Sequence, residues 1–272
     1  MKTLIARRLL KRKKLLCTVA GLAVAWLFIW YALPWFFPGP EGLVHPEKPG
    51  AVVLDRDGGR IATLPGRDYY HCEPVPLRAV PEMLVKATLA AEDKRFYSHG
   101  GADFLALGRA VVTNAAGGEI VSGASTITQQ LAKNANRPGK RNLASKMREF
   151  FQARRLEMTM SKEEILEAYF NRLDYGNLRR GPAAAARFYF GRNMDHLSLA
   201  ECALLAGLPQ GPSRLNPLNY PDRALERRNR VLRRMKEEGM FPGEMLDRAL
   251  QEPLFSSGTE KRRQALAPHV TA

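Results

Sequence analysis

The hydrophobic pattern divides the chain into stretches with different periods. Leu15 to Leu33 (LLCTVAGLAVAWLFIWYAL) is a run of nineteen residues without Asp, Glu, Lys, Arg or His. At about 1.5 Å per residue it covers most of a roughly 30 Å hydrocarbon layer, and it predicts a membrane-spanning helix. Trp26, Trp30, Tyr31 and Trp35 gather toward its C-terminal end, where amphipathic rings suit the interface. Pro34 to Gly50 holds five prolines and three glycines and predicts an extended linker. Val52 to Leu54 and Ile61 to Leu64, separated by Asp55-Arg56-Asp57-Gly58-Gly59, predict a short β-hairpin. From Pro81 onward the spacing becomes helical. Apolar residues recur at three and four positions over Met83–Asp93, Phe104–Asn114, Thr126–Lys133, Leu143–Met160, Lys162–Leu173, Ala183–Phe190, Ser198–Gly207 and Ala224–Glu238. Ser161-Lys162-Glu163-Glu164 is a capping box opening one of these helices, with Ile165, Leu166, Tyr169, Phe170 and Leu173 on one face.

This divides the 272 residues into a basic tail at 1–14, a transmembrane signal-anchor at 15–33, a linker and β-hairpin at 34–80, a mainly α body at 81–250 and a C-terminal tail at 251–272. Charge orients the scheme. The net charge is +15, and Lys2, Arg7, Arg8, Lys11, Arg12, Lys13 and Lys14 supply seven of it with no acid among them, so +8 remains. Such a cluster stays on the cytoplasmic side, which places the body outside the membrane. A signal peptide cut near Ala23-Val24-Ala25 is the competing reading, but it would leave an apolar stub, Trp26 to Leu33. The remaining positive charge favours an anionic partner. Nucleic acid is not expected, because an exported body would rarely meet it and no nucleic-acid module motif occurs. Cys17, Cys72 and Cys202 form neither a CxxC pair nor a disulfide framework.

Three segments carry candidate chemistry, each with an ordinary explanation beside it. Glu92-Asp93 ends an apolar helix and runs through Phe96 and His99 into Gly100-Gly101; adjacent charges there are commonly a solvated surface. Ser122 to Asn134 is a polar run anchored only by Ile127 and Leu131, which reads as a capped helix start or as a cluster of hydroxyls, amides and a lysine suited to sugar or phosphate. Arg141 to Glu149 sets Ser145, Lys146, Glu149 and Gln152 on one helical face, where Lys146 and Glu149 form an ordinary i,i+3 pair.

In combination and order, the segments resemble the peptidoglycan glycosyltransferases of glycosyltransferase family 51. Glu92 to Gly101 matches EDxxFxxHxG. Gly123 to Asn134 matches GGSTITQQxxKN with Ala124 for the second glycine, and Lys146 and Glu149 match RKxxE with Ser145 where arginine is usual. Ile165 to Asn171 with Tyr175-Gly176, and Arg180-Gly181 through Tyr189-Phe190-Gly191, supply the fourth and fifth motifs. Gly207 to Ser213 with Asn216-Pro217 looks like the closing segment, closest to the class C type of bifunctional penicillin-binding protein.

The resemblance implies a lysozyme-like, mostly helical fold that polymerises lipid II with inversion and releases undecaprenyl pyrophosphate. It implies Glu92 as the base taking the proton of the acceptor hydroxyl, with Asp93 alongside, and Glu149 as a second catalytic carboxylate or a metal ligand. Lys133, Arg141 and Lys146 would neutralise the leaving pyrophosphate with a divalent cation, Mg²⁺ or Mn²⁺. Ser125, Thr126, Gln129 and Gln130 would bind sugar or phosphate oxygens, whereas Asn171, Gly181 and Tyr189 read as packing positions. Phe104 to Val121 is a candidate for a part that dips into the bilayer. Ser145 would lower activity, with Arg148 as compensation.

The expected setting is the bacterial inner membrane, single-pass, with the body periplasmic or extracellular and with lipid II, the growing glycan strand and membrane lipids as partners. SxxK, SxN and KTG do not occur, so no transpeptidase chemistry is expected from this chain, and a separate transpeptidase or cell-wall synthesis complex is an expected partner. The alternatives are a lysozyme-like peptidoglycan-cleaving enzyme and a catalytically weakened membrane-anchored scaffold.

Overall fold

The computed structural model describes residues 2–44, 50–58, 60–66, 68–108, 125–136 and 142–255. Helix α1 (Lys2–Leu27) continues through a π turn, Phe28–Ala32, into a 3-10 turn, Leu33–Phe36. The regular ladder loosens where Pro34 brings a residue with no N–H to donate. The stretch Arg12–Phe36 holds an 18-residue window of mean hydropathy 2.0 and is long and apolar enough to cross a membrane.

Beyond this helix, the linker differs from its sequence expectation. Its first part is pinned to the body instead of spacing the body off: Glu41–Val44 forms one helical turn, α2, and Pro34 is buried. The clamp comes from helix α6 (Leu143–Thr159). Arg154 donates from Nε to the Trp30 carbonyl at 3.1 Å and lies over the Trp30 and Tyr31 rings. Arg155 donates to the Phe37 carbonyl at 2.7 Å and covers Trp35. Gln152 donates to the Pro38 carbonyl, and Phe37 stacks on Phe151 at 4.7 Å. Each guanidinium donates to a backbone carbonyl and gains a ring face. Local periodicity does not record these contacts.

The hairpin forms as antiparallel β1 (Val52–Leu54) and β2 (Arg60–Thr63), with a register irregularity at Val53/Leu54. A second, parallel pair joins β3 (His71–Cys72) to β4 (Arg179–Arg180). The body is helical: α3 (Glu82–Glu92), α4 (104–108 as described), α5 (Ile127–Ala135), α6, α7 (Lys162–Arg172), α8 (Pro182–Phe190), α9 (Leu199–Gly207), α10 (Pro221–Glu237) and α11 (Met245–Gln251). Helix α9 is apolar around most of its circumference and buried from Ala200 to Gly207, as a central helix must be. It packs against α3, α8, α10 and α11. The capping box expected at Ser161 is present, with Glu164 accepting from the Ser161 N–H at 2.7 Å.

The residues read as packing positions hold the fold. Asn171 bridges the Val75 backbone, accepting its N–H at 2.9 Å and donating to its carbonyl at 2.8 Å. Tyr189 donates to the Tyr175 carbonyl at 2.7 Å. Gly181 has φ 85°, a conformation open to glycine at little cost. Of the candidate bilayer-dipping segment, 109–121 lies outside the described residues, while Phe104, Leu105 and Leu107 are exposed.

Candidate active site

Glu92 is the last residue of α3. A carboxylate at a helix C-terminus faces the negative end of the dipole, so it needs outside support. Two side chains provide it. Gln130 of α5 donates from Nε2 to Glu92 Oε2 at 2.9 Å, and Arg227 of α10 approaches Glu92 Oε1 at 3.2 Å. Gln130 is itself held by the Tyr169 hydroxyl of α7, which donates to its Oε1 at 3.2 Å. Tyr169 is fully buried, and burial first, then the nearby Glu92 charge, pushes its phenol well above the usual range, so it stays a donor.

Asp93, next in sequence, is engaged elsewhere. Its side chain is 4% exposed; Oδ2 accepts the Ile127 N–H at 3.0 Å, an otherwise free donor in the first turn of α5, and both oxygens meet His99 Nε2 at 3.0 and 3.1 Å. His99 Nδ1 accepts the Gly101 N–H at 3.3 Å, which leaves Nε2 as the donor to Asp93. The adjacent pair of carboxylates thus separates: Glu92 meets Gln130 and Arg227, while Asp93 ties the loop after α3 to the start of α5.

Thr126 and Gln129 close a capping box over the first turn of α5. The Thr126 hydroxyl accepts the Gln129 N–H at 3.2 Å and donates to the Gly101 carbonyl at 2.8 Å, so both residues are taken up in holding the helix. Ser125 and Lys133 are exposed at the start and in the last turn of α5. On α6, which packs against α5, Lys146 is exposed and Glu149 half-buried. Among the described residues, the side chains of Lys133, Lys146 and Glu149 have no hydrogen-bond or ion-pair partner, which leaves their charges available to a ligand. Arg141 lies outside the described residues. No three His, Cys, Asp or Glu side chains among the described residues group as a metal site. A single free carboxylate such as Glu149 suits a Mg²⁺ ion whose other ligands are phosphates and water.

Ser145 has a local role. With Asn142 it forms a second capping box: its N–H donates to Asn142 Oδ1 at 2.8 Å and its hydroxyl accepts the Asn142 N–H at 3.1 Å. The residue replacing the usual arginine therefore starts the helix that carries Lys146 and Glu149.

Sequence reasoning missed Arg227 and the Tyr169–Gln130 contact. The signal for Arg227 was present. The apolar face of α10 runs through Ala224, Val231, Leu232 and Met235, and Arg227 and Arg228 occupy the turn between, where residues are buried. A guanidinium on an apolar stripe requires a buried acceptor. Arg228 finds one in the Leu250 and Glu252 carbonyls, at 3.0 Å for Leu250 and 2.5 Å for Glu252; Arg227 finds Glu92.

Residues 57–236 match the family model described as Transglycosylase. The chain belongs to this transglycosylase family. Among curated relatives of the family, a Penicillin-binding protein 1A of Aquifex aeolicus is 39% identical over 248 residues, covering 89% of this chain and 34% of that protein. A Penicillin-binding protein 1A of Neisseria flavescens is 47% identical over 217 residues, covering 80% and 27%. A crystal structure of Penicillin-Binding Protein 1A from Haemophilus influenzae superposes with a TM-score of 0.45 at 29% identity, covering 82% of this chain and 25% of that one. The chain thus spans about a third or less of the length of these relatives.

Proposed function

We propose that this chain is a membrane-anchored peptidoglycan glycosyltransferase that polymerises lipid II. The observation that carries the reading is the Glu92 carboxylate, fixed between Gln130 and Arg227 at the end of α3, within a chain of the transglycosylase family. In the reaction, the acceptor's 4-hydroxyl oxygen bonds to the anomeric carbon of the growing strand. The bond to pyrophosphate breaks with its electron pair leaving on undecaprenyl pyrophosphate, and the hydroxyl proton passes to Glu92. The two carboxylate oxygens retain lone pairs beyond those used by Gln130 and Arg227.

Lys133 and Lys146, whose side chains have no partner among the described residues, are the cations that meet the departing phosphates, with Arg141 added from the sequence. Glu149 is the protein ligand for a Mg²⁺ or Mn²⁺ ion, whose chemistry here would be to screen pyrophosphate charge. Ser125, exposed just before α5, is a hydroxyl for sugar or phosphate oxygens. In this reading the N-terminus, with its basic cluster, lies in the cytoplasm and the body on the outer face of the bacterial inner membrane. A separate crosslinking transpeptidase would join the strands made, a partnership that failed co-purification would weaken.

The test is polymerisation of fluorescent lipid II by detergent-solubilised protein with Mg²⁺, wild type against Glu92→Gln. Long glycan from the wild type and none from the variant is the expected result. Equal polymer from both would overturn the base assignment.

A further inference from the structure

Arg227 and Glu92 lie 135 positions apart, yet meet at 3.2 Å with side chains only 5% and 12% exposed. Three observations show that the fold is arranged around this meeting. The Arg227 guanidinium also donates from Nε to the Gly207 carbonyl at 3.4 Å, fixing its plane. Gly207 has φ −81°, which any residue adopts. What the glycine supplies is space, since a Cβ there would lie 2.8 Å from Arg227 Cγ. Finally, Arg214, Arg230 and Arg234 stand around Arg227 and oppose its charge, adding to the larger effect of burial, while Glu92 alone among these groups supports it.

We propose that Arg227 is a positioning residue for the transferase reaction, acting through Glu92: it holds Oε1 while Gln130 holds Oε2, so the carboxylate plane is fixed toward the acceptor hydroxyl. The proposal rests on the reading of Glu92 as base. A carboxylate with one donor can rotate about its last bond. Two different donors, one on each oxygen, stop that rotation and leave the ionised form charge-compensated at a helix end that otherwise disfavours it. Removing Arg227 therefore affects the chemical step and leaves the surfaces that hold the substrate unchanged.

The experiment compares Arg227→Met, Arg227→Lys, Gly207→Ala and Glu92→Gln with wild type in the full chain, reading kcat and KM for lipid II. Loss of one charge-assisted contact predicts a fall in kcat of about 10- to 100-fold for Arg227→Met, with KM within about twofold. Arg227→Lys, which retains the cation, recovers part of that loss. Gly207→Ala keeps the arginine but crowds its stem, lowers kcat in the same direction, and carries the test alone should Arg227→Met not fold. A wild-type kcat in Arg227→Met or Gly207→Ala beside an inactive Glu92→Gln overturns the positioning role and leaves the base intact. A rise in KM at unchanged kcat also overturns it, because that would make Arg227 a substrate contact. An active Glu92→Gln overturns both readings.

Discussion

Asp93→Asn tests whether the second carboxylate of the pair is a fastening between α3 and α5. Asp93 accepts from two donors, the Ile127 N–H and His99 Nε2, both at about 3.0 Å, in a site where its side chain is 4% exposed. Asparagine offers one acceptor oxygen and one NH₂ group, so an N–H must face one of these donors. A hydrogen bond to a charged group contributes about 1.5–3 kcal/mol, and the charge at the N-terminus of α5 adds about 0.3–1 kcal/mol. With one bond kept, the loss comes to about 2–4 kcal/mol. For a body of this size each kcal/mol moves the melting temperature by about 2–4 °C, so a fall of about 4–16 °C is expected in thermal unfolding of the detergent-solubilised protein. Because the same contact sets the start of α5 and hence Gln130, polymerisation falls with it. A melting temperature within about 2 °C of wild type would show that His99 and Ile127 do not depend on the charge, and would refute the fastening.

Tyr169→Phe removes the donor to Gln130 Oε1 and leaves a partly buried acceptor, so stability should fall by about 1–2 kcal/mol and kcat should fall too; unchanged melting and rate would show that Gln130 needs no support. Burial pushes the Glu201 carboxyl up from 4.5, against the pull of the Ser198 N–H and Arg192, with Glu252 adding to the rise. A carboxyl raised on folding contributes its full stability below the unfolded value and loses it as pH climbs through the folded one. Glu201→Gln, which can keep the Ser198 cap, should therefore melt higher than wild type near pH 8 and converge with it by about pH 4; a difference independent of pH refutes this. Arg154→Ala deletes the Trp30 carbonyl bond and two ring contacts, together about 1–3 kcal/mol. Limited proteolysis between Ala32 and Gly50 should then run about 5- to 100-fold faster, and unchanged cleavage would mean that the segment is held by other contacts.

Helices whose apolar faces point into the body were legible from sequence because a helix's period is set by its own residues. Lys162–Arg172, foreseen as Lys162–Leu173, and Leu143–Thr159, foreseen as Leu143–Met160, differ by one residue at the C-terminal end. The parallel pairing of His71–Cys72 with Arg179–Arg180 had no local signal, since two-residue strands carry no alternation. The pinned linker was equally silent, because proline and glycine content predicts backbone freedom and says nothing of guanidinium groups on a helix more than a hundred residues away. At the site, the sequence singles out Glu92 as a candidate, and the Thr126–Gln129 pair shows why polar runs carry two readings: the chemistry that would suit a sugar is also the chemistry that caps a helix. Arg227 was visible only as an anomaly on an apolar stripe, and the sequence does not say which of the chain's acids would answer it.

The span of 135 positions between Glu92 and Arg227 also bears on when the site comes into being. Contacts between distant segments close late, after the loop entropy between them has been overcome. Glu92 is synthesised before helix α10 exists to meet it. A nascent chain would thus carry its carboxylate without the arginine that meets it until α10 docks on α3 and α9. Completion of the fold is then the event that assembles the Glu92–Arg227 pair.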